Sequence, residues 1–313
     1  MHFLDCTVIG DIFIDLVIHV NGNHTKFFYG GTSYVDSAKA EFGGSGNVAV
    51  GLSLLGGKVS FVGKAGQDLF GRLYIRNLKK NKVIPQVFFD KCSPTGLVLV
   101  FVEDRKERSF LVSRGANDRL STHDIEKASD LIKRSKYVYF SGYSLVNEPQ
   151  QSAILQGIET SRKYAAKIVF DPGACNLIRS KPQLFAKILD LCDVFSPNLD
   201  EAFAVTNATD IHDIVHKLRG RVPLTALKLG EKGCILVSEK NTLKVPCVKT
   251  KCLDPTGAGD AFTAALIYGL AHELPFKATG QLANWFAAQV VTRIGSRSFP
   301  TKSRIDHLMR ALS

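Results

Sequence analysis

Long apolar runs are absent from this 313-residue chain. No stretch approaches the roughly 20 consecutive apolar residues of a membrane helix, so a membrane is not among the expected partners. The start, "MHFLDCTVIGD", has no basic opening and no small-residue cleavage site of a secretory leader, and a cytoplasmic protein is expected. The seven cysteines (Cys6, Cys92, Cys175, Cys192, Cys234, Cys247, Cys252) are odd in number and never form a C-x-x-C pair, which argues for reduced, mostly buried thiols instead of disulfides or zinc. Linkers, low-complexity tracts and repeats are missing too. So are two nucleotide fingerprints: no G-x-G-x-x-G follows the first strand-like run, and "GLSLLGGKVS" only grazes the P-loop pattern, with valine where Ser or Thr belongs.

What is present is a composition suited to one large core, with 45% apolar residues. The 40 basic groups exceed the 29 acidic ones, giving +11. The bases are scattered, with small clusters ("NLKKNK", "LIKRSK") at helix-like ends, where they suit solvated faces and the helix dipole. The surplus also makes an attractive field for an anionic substrate such as a nucleotide. No motif supports a nucleic-acid partner.

Strand-like runs alternate with helix-like ones. "CTVIG" (6–10), "KVSFVGKAG" (58–66), "YVYFSGY" (137–143), "KIVFDPG" (167–173), "DVFSPN" (193–198) and "LTALKLG" (224–230) read as short buried strands. "GNVAVGLSLLGG" (46–57) and "FGRLYIRNLKKN" (70–81) read as helices. Repeated βαβ units predict an α/β protein with a mostly parallel sheet covered on both faces. Ligands then sit at the carboxyl ends of strands, where Gly10, Asp11, Asp171, Ser196, Asn198 and Gly230 fall. Two β-rich stretches, about 12–42 and 86–113, break the alternation. They read either as edge hairpins of the main sheet or, since they are two separate insertions of similar character, as a small second sheet forming a lid, the favoured reading, on a single domain spanning 1–313.

The stretch "DPTGAGDAF" (254–262) carries the chemistry. Gly257, Ala258 and Gly259 open an apolar helical run, and amides stripped of side chains at a helix N-terminus make an anion hole. Asp260 sits within that positive end. Alone, a carboxylate there reads as a structural cap; beside an anion hole it is also the layout for phosphoryl transfer, with Asp260 taking the proton of the attacking hydroxyl.

These nine residues resemble the C-terminal signature of the ribokinase-like (PfkB) carbohydrate kinases. "GGSGNVAVGLSLLGGKVSFVGKAGQDLFG" (43–71) resembles their N-terminal signature, and "SPTG", "GAN", "NLDE", "LKLGEKG" and "LANWFAAQVVTRIGS" follow in order. The resemblance implies a three-layer α/β/α sandwich with a β-sheet lid. It also implies an ATP-dependent kinase that uses Mg²⁺ and, as in many members, a monovalent cation such as K⁺. By the same resemblance Asp260 is the catalytic base and Gly257, Ala258 and Gly259 the anion hole. Asp15, Gly43, Gly44 and Asn47 bind the acceptor. Asn198, Lys228, Gly230, Gly233 and Asn284 serve the nucleotide, and Glu201 acts on Mg²⁺ through water. Asp254 and Thr256 belong to the monovalent-cation site. Without the resemblance, Asn198 and Glu201 read as a helix cap and its capping-box acid.

The acceptor is less sharply marked. Ser45 stands where ribokinases and phosphosugar kinases commonly carry lysine, Lys228 where many members carry Thr or Ser, and Gly173 where ketodeoxygluconate kinases tend to carry asparagine. A phosphosugar needs convergent cations. Lys26, Lys39, Arg105, Lys106 and Arg108 lie in the lid stretches, but "EDRKER" reads as a solvated hairpin tip, leaving Arg114 as the base expected at the acceptor. A free sugar of the ribose, fructose or sugar-acid class is therefore expected. A nucleoside is the alternative, for which Phe27, Phe28, Tyr29 and Tyr34 offer stacking surface; a phosphosugar kinase and a non-catalytic binding protein are further readings. A homodimer through the lid is expected, because an apolar small sheet leaves a face and an edge to pair.

Overall fold

A computed structural model describes residues 3–19, 32, 34–35, 37–102, 108–295 and 297–312. The thirteen strands among them are β1 (Leu4–Ile9), β2 (Ile12–His19), β3 (Ser37–Gly44), β4 (Val59–Gly66), β5 (Ile84–Asp90), β6 (Gly96–Val102), β7 (Arg108–Ser113), β8 (Ser135–Ser141), β9 (Lys167–Asp171), β10 (Val194–Phe195), β11 (Leu224–Lys228), β12 (Cys234–Ser238) and β13 (Thr242–Val245). Nine form one sheet, in the order β13-β12-β11-β10-β9-β8-β1-β4-β5. It is parallel from β5 to β11 and antiparallel only at the β11-β12-β13 edge.

The continuous apolar runs of the central strands follow from burial on both faces. Cys6 and Val8 of β1, Tyr137 and Tyr139 of β8 and Val169 of β9 enter one core, with helices Gly46–Leu54, Ala258–Ala271 and Phe276–Val290. Their neighbours Ile9, Val138, Phe140, Ile168 and Phe170 enter the other, with helices Gln150–Lys163 and Pro182–Leu189. The result is the expected layering, helices on either side of a mostly parallel sheet. No helix among the described residues is long and apolar enough to cross a membrane.

The other four strands form a smaller sheet in the order β3-β2-β6-β7. It differs from the expected lid in extent. Residues 84–90 pair in parallel with β4 as the edge of the large sheet, so the second contribution starts at Gly96, not at 86. "QVFFD" has strand composition in either place, and composition does not say which sheet a strand joins. At the other end β3 runs on to Gly44, past the expected limit at 42, so Gly43 and Gly44 belong to a strand paired with β2. Lys26, Phe27, Phe28, Tyr29, Arg105 and Lys106 lie outside the described residues.

Candidate active site

The run from Ala261 to Ile267, apolar but for Thr263 and buried at every residue, fastens helix Ala258–Ala271 into the core and so fixes where its first turn sits. Gly257 caps it at φ 79° and ψ −1°, in the left-handed region where a side chain is strained. Gly257, Ala258, Gly259 and Asp260 are all half-buried. Asp260 Oδ2 accepts a 2.9 Å hydrogen bond from Asn47 Nδ2, and Asn47 rises from the first turn of helix Gly46–Leu54. The two signatures, over 200 residues apart in sequence, thus meet in one hydrogen bond. Burial pushes the Asp260 carboxyl up to about 6, against the lowering effect of the Asn47 bond; Asp171 raises it further, and Lys228 and Arg297 oppose.

Lys228, at the end of β11, brings a cation to the anion hole. A Cβ placed on Gly259 would stand 3.6 Å from its Nζ, and nothing else would lie within 4 Å. Asp171, at the end of β9, holds that ammonium with a 2.7 Å ion pair whose side chains are 14% and 12% exposed. Asp171 Oδ2 also accepts from Thr263 Oγ1, one turn along the Asp260 helix, and the Thr263 hydroxyl lies 3.0 Å from Ser196 Oγ. Burial alone lowers an ammonium; here Asp171 and Glu201 outweigh it and hold Lys228 protonated.

On the acceptor side, Asp15 lies in the middle of the small sheet. Its carboxylate sits directly over Gly43, where a Cβ would come within 2.4 Å of both carboxylate oxygens. Burial raises the Asp15 carboxyl to about 7, with Arg297 opposing and Glu41 and Asp260 adding to the rise. Gly44 approaches the Asp11 carbonyl just as closely. Ser45 is buried against Gly10, and its Oγ accepts the Asp11 N–H at 3.3 Å, so position 45 packs under the β1–β2 turn.

Arg114 belongs to a different group. Its Nε donates to Asp118 Oδ1 at 2.6 Å, and its Nη2 donates to Asp11 Oδ1 at 3.1 Å and to Gln150 Oε1 at 2.6 Å. Its described partners do not include Asp15, Asn47 or Asp260. Of the expected aromatic surface, the described Tyr34 is 90% exposed.

The expected nucleotide residues gather at the ends of β10 to β13. Asn198 and Glu201 form a full capping box: Glu201 N–H donates to Asn198 Oδ1, while Glu201 Oε2 accepts from Asn198 N–H and Oε1 from Asn198 Nδ2. Burial raises Glu201 to about 7; Asp171 adds to the rise and Lys228 opposes it. Gly230 opens a tight turn, and Gly233 closes it at φ 89°, where a Cβ would strike the Val245 carbonyl at 2.1 Å. Asn284 is buried and spends its amide hydrogens on the Val245 and Pro246 carbonyls, so it shapes this loop from behind. Asp254 accepts from Thr256 N–H and from Gly295 N–H, each at 2.8 Å, strapping the turn before the anion hole to the C-terminal loop.

No group of three or more His, Cys, Asp or Glu side chains converges as a metal cage among the described residues. Glu201 and Asp171 supply hard carboxylate oxygens close to the anion hole. That donor set suits Mg²⁺ arriving on phosphates with its waters retained.

Two residues of the site were not singled out from sequence. Asp171 stood among the strand ends, and the carboxyl-end rule could have promoted it. Arg297 had no periodicity or motif to mark it. Its Nε donates to Asn47 Oδ1 at 2.6 Å, its Nη1 to Asn77 Oδ1 and its Nη2 to Tyr74 Oη. Its guanidinium lies 5.4 and 5.5 Å from the centres of the Phe42 and Tyr74 rings.

The model of the pfkB family carbohydrate kinases matches residues 4–303. The chain belongs to that family. It is a sugar kinase, a phosphotransferase with an alcohol group as acceptor. Fructokinase-1 of Oryza sativa subsp. japonica is 32% identical over 289 residues, 87% of this chain and 89% of that protein. The probable sugar kinase of Rhizobium etli CFN 42 superposes with a TM-score of 0.90 at 21% identity, covering 100% of both chains. The adenosine kinase of Sinorhizobium meliloti superposes at 0.87 with 23% identity, over 98% of this chain and 99% of that one. A putative ribokinase II of E. coli, solved in complex with ATP and Mg²⁺, superposes at 0.85 with 19% identity, over 98% and 99%.

Proposed function

We propose that this kinase transfers the terminal phosphoryl group of ATP to a hydroxyl of a small free sugar of the ribose, fructose or sugar-acid class. The observation that carries the reading is the meeting of Asp260, Asn47 and the Lys228 ammonium at the first turn of one helix. Asp15, Gly43, Gly44 and Asn47 hold the acceptor, the glycines letting it lie against backbone. Asp260 takes the proton of the attacking hydroxyl, and the amides of Gly257, Ala258 and Gly259, with Lys228, receive the charge on the phosphoryl oxygens. Asn198, Gly230, Gly233 and Asn284 form the nucleotide's bed. Glu201 acts through water on Mg²⁺, whose part when bound is to neutralise the donor's phosphates. Asp254 and Thr256 border a site for K⁺.

A free sugar is favoured because the arginines near the acceptor residues are already engaged by protein groups. Arg114 is committed to Asp11 and Asp118, and Arg297 lies behind Asn47. The fructokinase relative points the same way. The nucleoside reading rests on the adenosine kinase likeness. A donor-by-acceptor activity matrix, run with Mg²⁺ and with K⁺ or Na⁺, decides. A free sugar is expected to exceed phosphosugars and nucleosides in kcat/KM by tenfold or more. A phosphosugar or nucleoside on top sinks the acceptor assignment, and no phosphorylation of any alcohol sinks the whole reading.

The assembly proposed is a homodimer through the small sheet. Phe110, Leu111 and Val112 of its edge strand β7 are 54%, 61% and 55% exposed, an apolar edge of the kind that invites pairing. Light scattering at micromolar concentration should return about twice the chain mass; a monomer there contradicts the proposal.

A further inference from the structure

Asp260 does not meet Asn47 in isolation. Asn47 stands between Asp260 and Arg297, its Nδ2 donating to Asp260 Oδ2 at 2.9 Å and its Oδ1 accepting from Arg297 Nε at 2.6 Å. A guanidinium has donors and no acceptor. It therefore dictates which end of the amide faces which neighbour. Were the amide reversed, two donors would confront each other on one side and two acceptors on the other.

Arg297 is itself held on several sides. Asn77 and Tyr74 of helix Leu69–Lys80 accept from its two terminal nitrogens. The Phe42 and Tyr74 rings lie against its guanidinium, and the Tyr74 hydroxyl is anchored on the Gly43 carbonyl at 2.7 Å. A guanidinium fixed by hydrogen bonds and aromatic faces is a rigid reference for its one remaining partner. That partner is the amide holding Asp260.

We propose that Arg297 is a positioning residue for phosphoryl transfer: it locks the Asn47 amide so that Asn47 donates to Asp260 Oδ2, which leaves Oδ1 as the oxygen that receives the acceptor's proton. In the step so defined, the acceptor O–H proton passes to Asp260 Oδ1. Its oxygen bonds to phosphorus, and the bond from phosphorus to the donor's bridging oxygen breaks, its electron pair leaving with the nucleotide. The inference rests on the kinase reading for this step. The orientation of the amide and the charge state of Asp260 exist without turnover.

Removing Arg297 should act on Asp260 in two ways of the same sign. The amide loses its reference and donates less well to the carboxylate, and a nearby cation is lost; both disfavour the charged form. The other groups facing Asp260 stay. They are Asp171 on β9, Lys228 on β11, Asp15 on β2, Tyr139 on β8 and Tyr143 in the turn that follows β8. Asp171 opposes ionisation and Lys228 favours it, while the phenols stay neutral through this range, so losing the Arg297 cation leaves a balance less favourable to the carboxylate.

The test is a ¹³C NMR titration of the full chain labelled at aspartate carboxyl carbons. The Asp260 resonance is assigned by its disappearance in Asp260→Asn. In Arg297→Met the Asp260 midpoint should rise by about one pH unit. Arg297→Lys, which keeps a cation and a donor, should recover most of that shift; if the methionine variant fails to fold, Arg297→Gln, which loses the cation, carries the measurement in its place. With an accepted sugar, the acid limb of kcat/KM should move by the same amount, so that Arg297→Met loses about fivefold more activity at pH 6 than at pH 8. An Asp260 midpoint that stays within about 0.3 unit of wild type in the charge-removing variant overturns the inference, whatever its activity. Absence of kinase activity in the wild type overturns the kinase reading instead, and the titration still decides whether Arg297 governs Asp260.

Discussion

Asp260→Asn is expected to lower kcat by at least ~10²–10⁴-fold, the usual worth of a general base, while nucleotide affinity changes little. Its amide keeps the shape and still accepts from Asn47, so the loss falls on the transition state. The same substitution should make the fold more stable at pH 7.5. The carboxyl is raised from 3.8 to about 6, chiefly by burial. A folded-state value above the unfolded one means that its stabilising contribution is complete below pH ~4 and lost as the pH rises through about 6. At neutral pH the ionised carboxylate is therefore a cost, of about 1–3 kcal/mol from ~1.4 kcal/mol per unit. Thermal melts should show Asp260→Asn above wild type at pH 7.5, with the gap closing near pH 4. Activity within a few-fold of wild type removes Asp260 from the role of base. An unchanged melting temperature at pH 7.5 removes the strain from the account.

Lys228→Met is expected to lower kcat by ~10²–10³-fold, the scale of deleting one donor to a developing anion, and to destabilise by about 3–5 kcal/mol, because it orphans a buried partner. The two effects have separate origins. The activity loss comes from the ammonium beside Gly259, and the stability loss from Asp171, left facing Thr263 and the raised carboxyl of Glu201. A paired variant, Lys228→Met with Asp171→Leu, should recover much of the stability in urea unfolding and none of the turnover. If single-turnover rates in Lys228→Met stay within threefold of wild type, the cation serves only the fold.

The central strands were legible because a strand buried on both faces must be apolar at consecutive positions, as in "YVYF" and "KIVF". β5 was not, because an edge strand with Ile84 and Phe89 half-open to solvent has the same composition as a strand of the small sheet. Asp260 and its glycines announced themselves through a local conflict: three small residues and an acid open a helix that otherwise wants bulk. Lys228 and Asp171 carry no such local sign. Each ends an ordinary strand, and only the parallel pairing of β9, β10 and β11 brings their side chains together. Arg114 is the opposite case. Elimination of the other lid bases pointed it at the acceptor, and the fold pairs it with Asp11, Asp118 and Gln150. Arg297 depends on contacts with residues 42, 47, 74 and 77, none of them near it in the chain.

The split of the site between two sheets has a bearing on how such a protein can change. Asp15 and Gly43 hang from the small sheet, while Asp260, Lys228, Asp171 and Glu201 are built on strand ends and helix starts of the large one. The chain crosses between the two at four points, where β1 passes into β2, β3 into helix Gly46–Leu54, β5 into β6, and β7 into the turn at Gly115. If the proposed roles hold, side chains of the four-stranded sheet other than Asp15, Phe42 and Gly43, which bear on Asp260, Arg297 and Tyr74, can be exchanged, by drift or by an engineer, to admit a differently shaped alcohol. Libraries aimed at new acceptors belong in β2, β3 and β6, and the ends of β9 and β11 are best left alone.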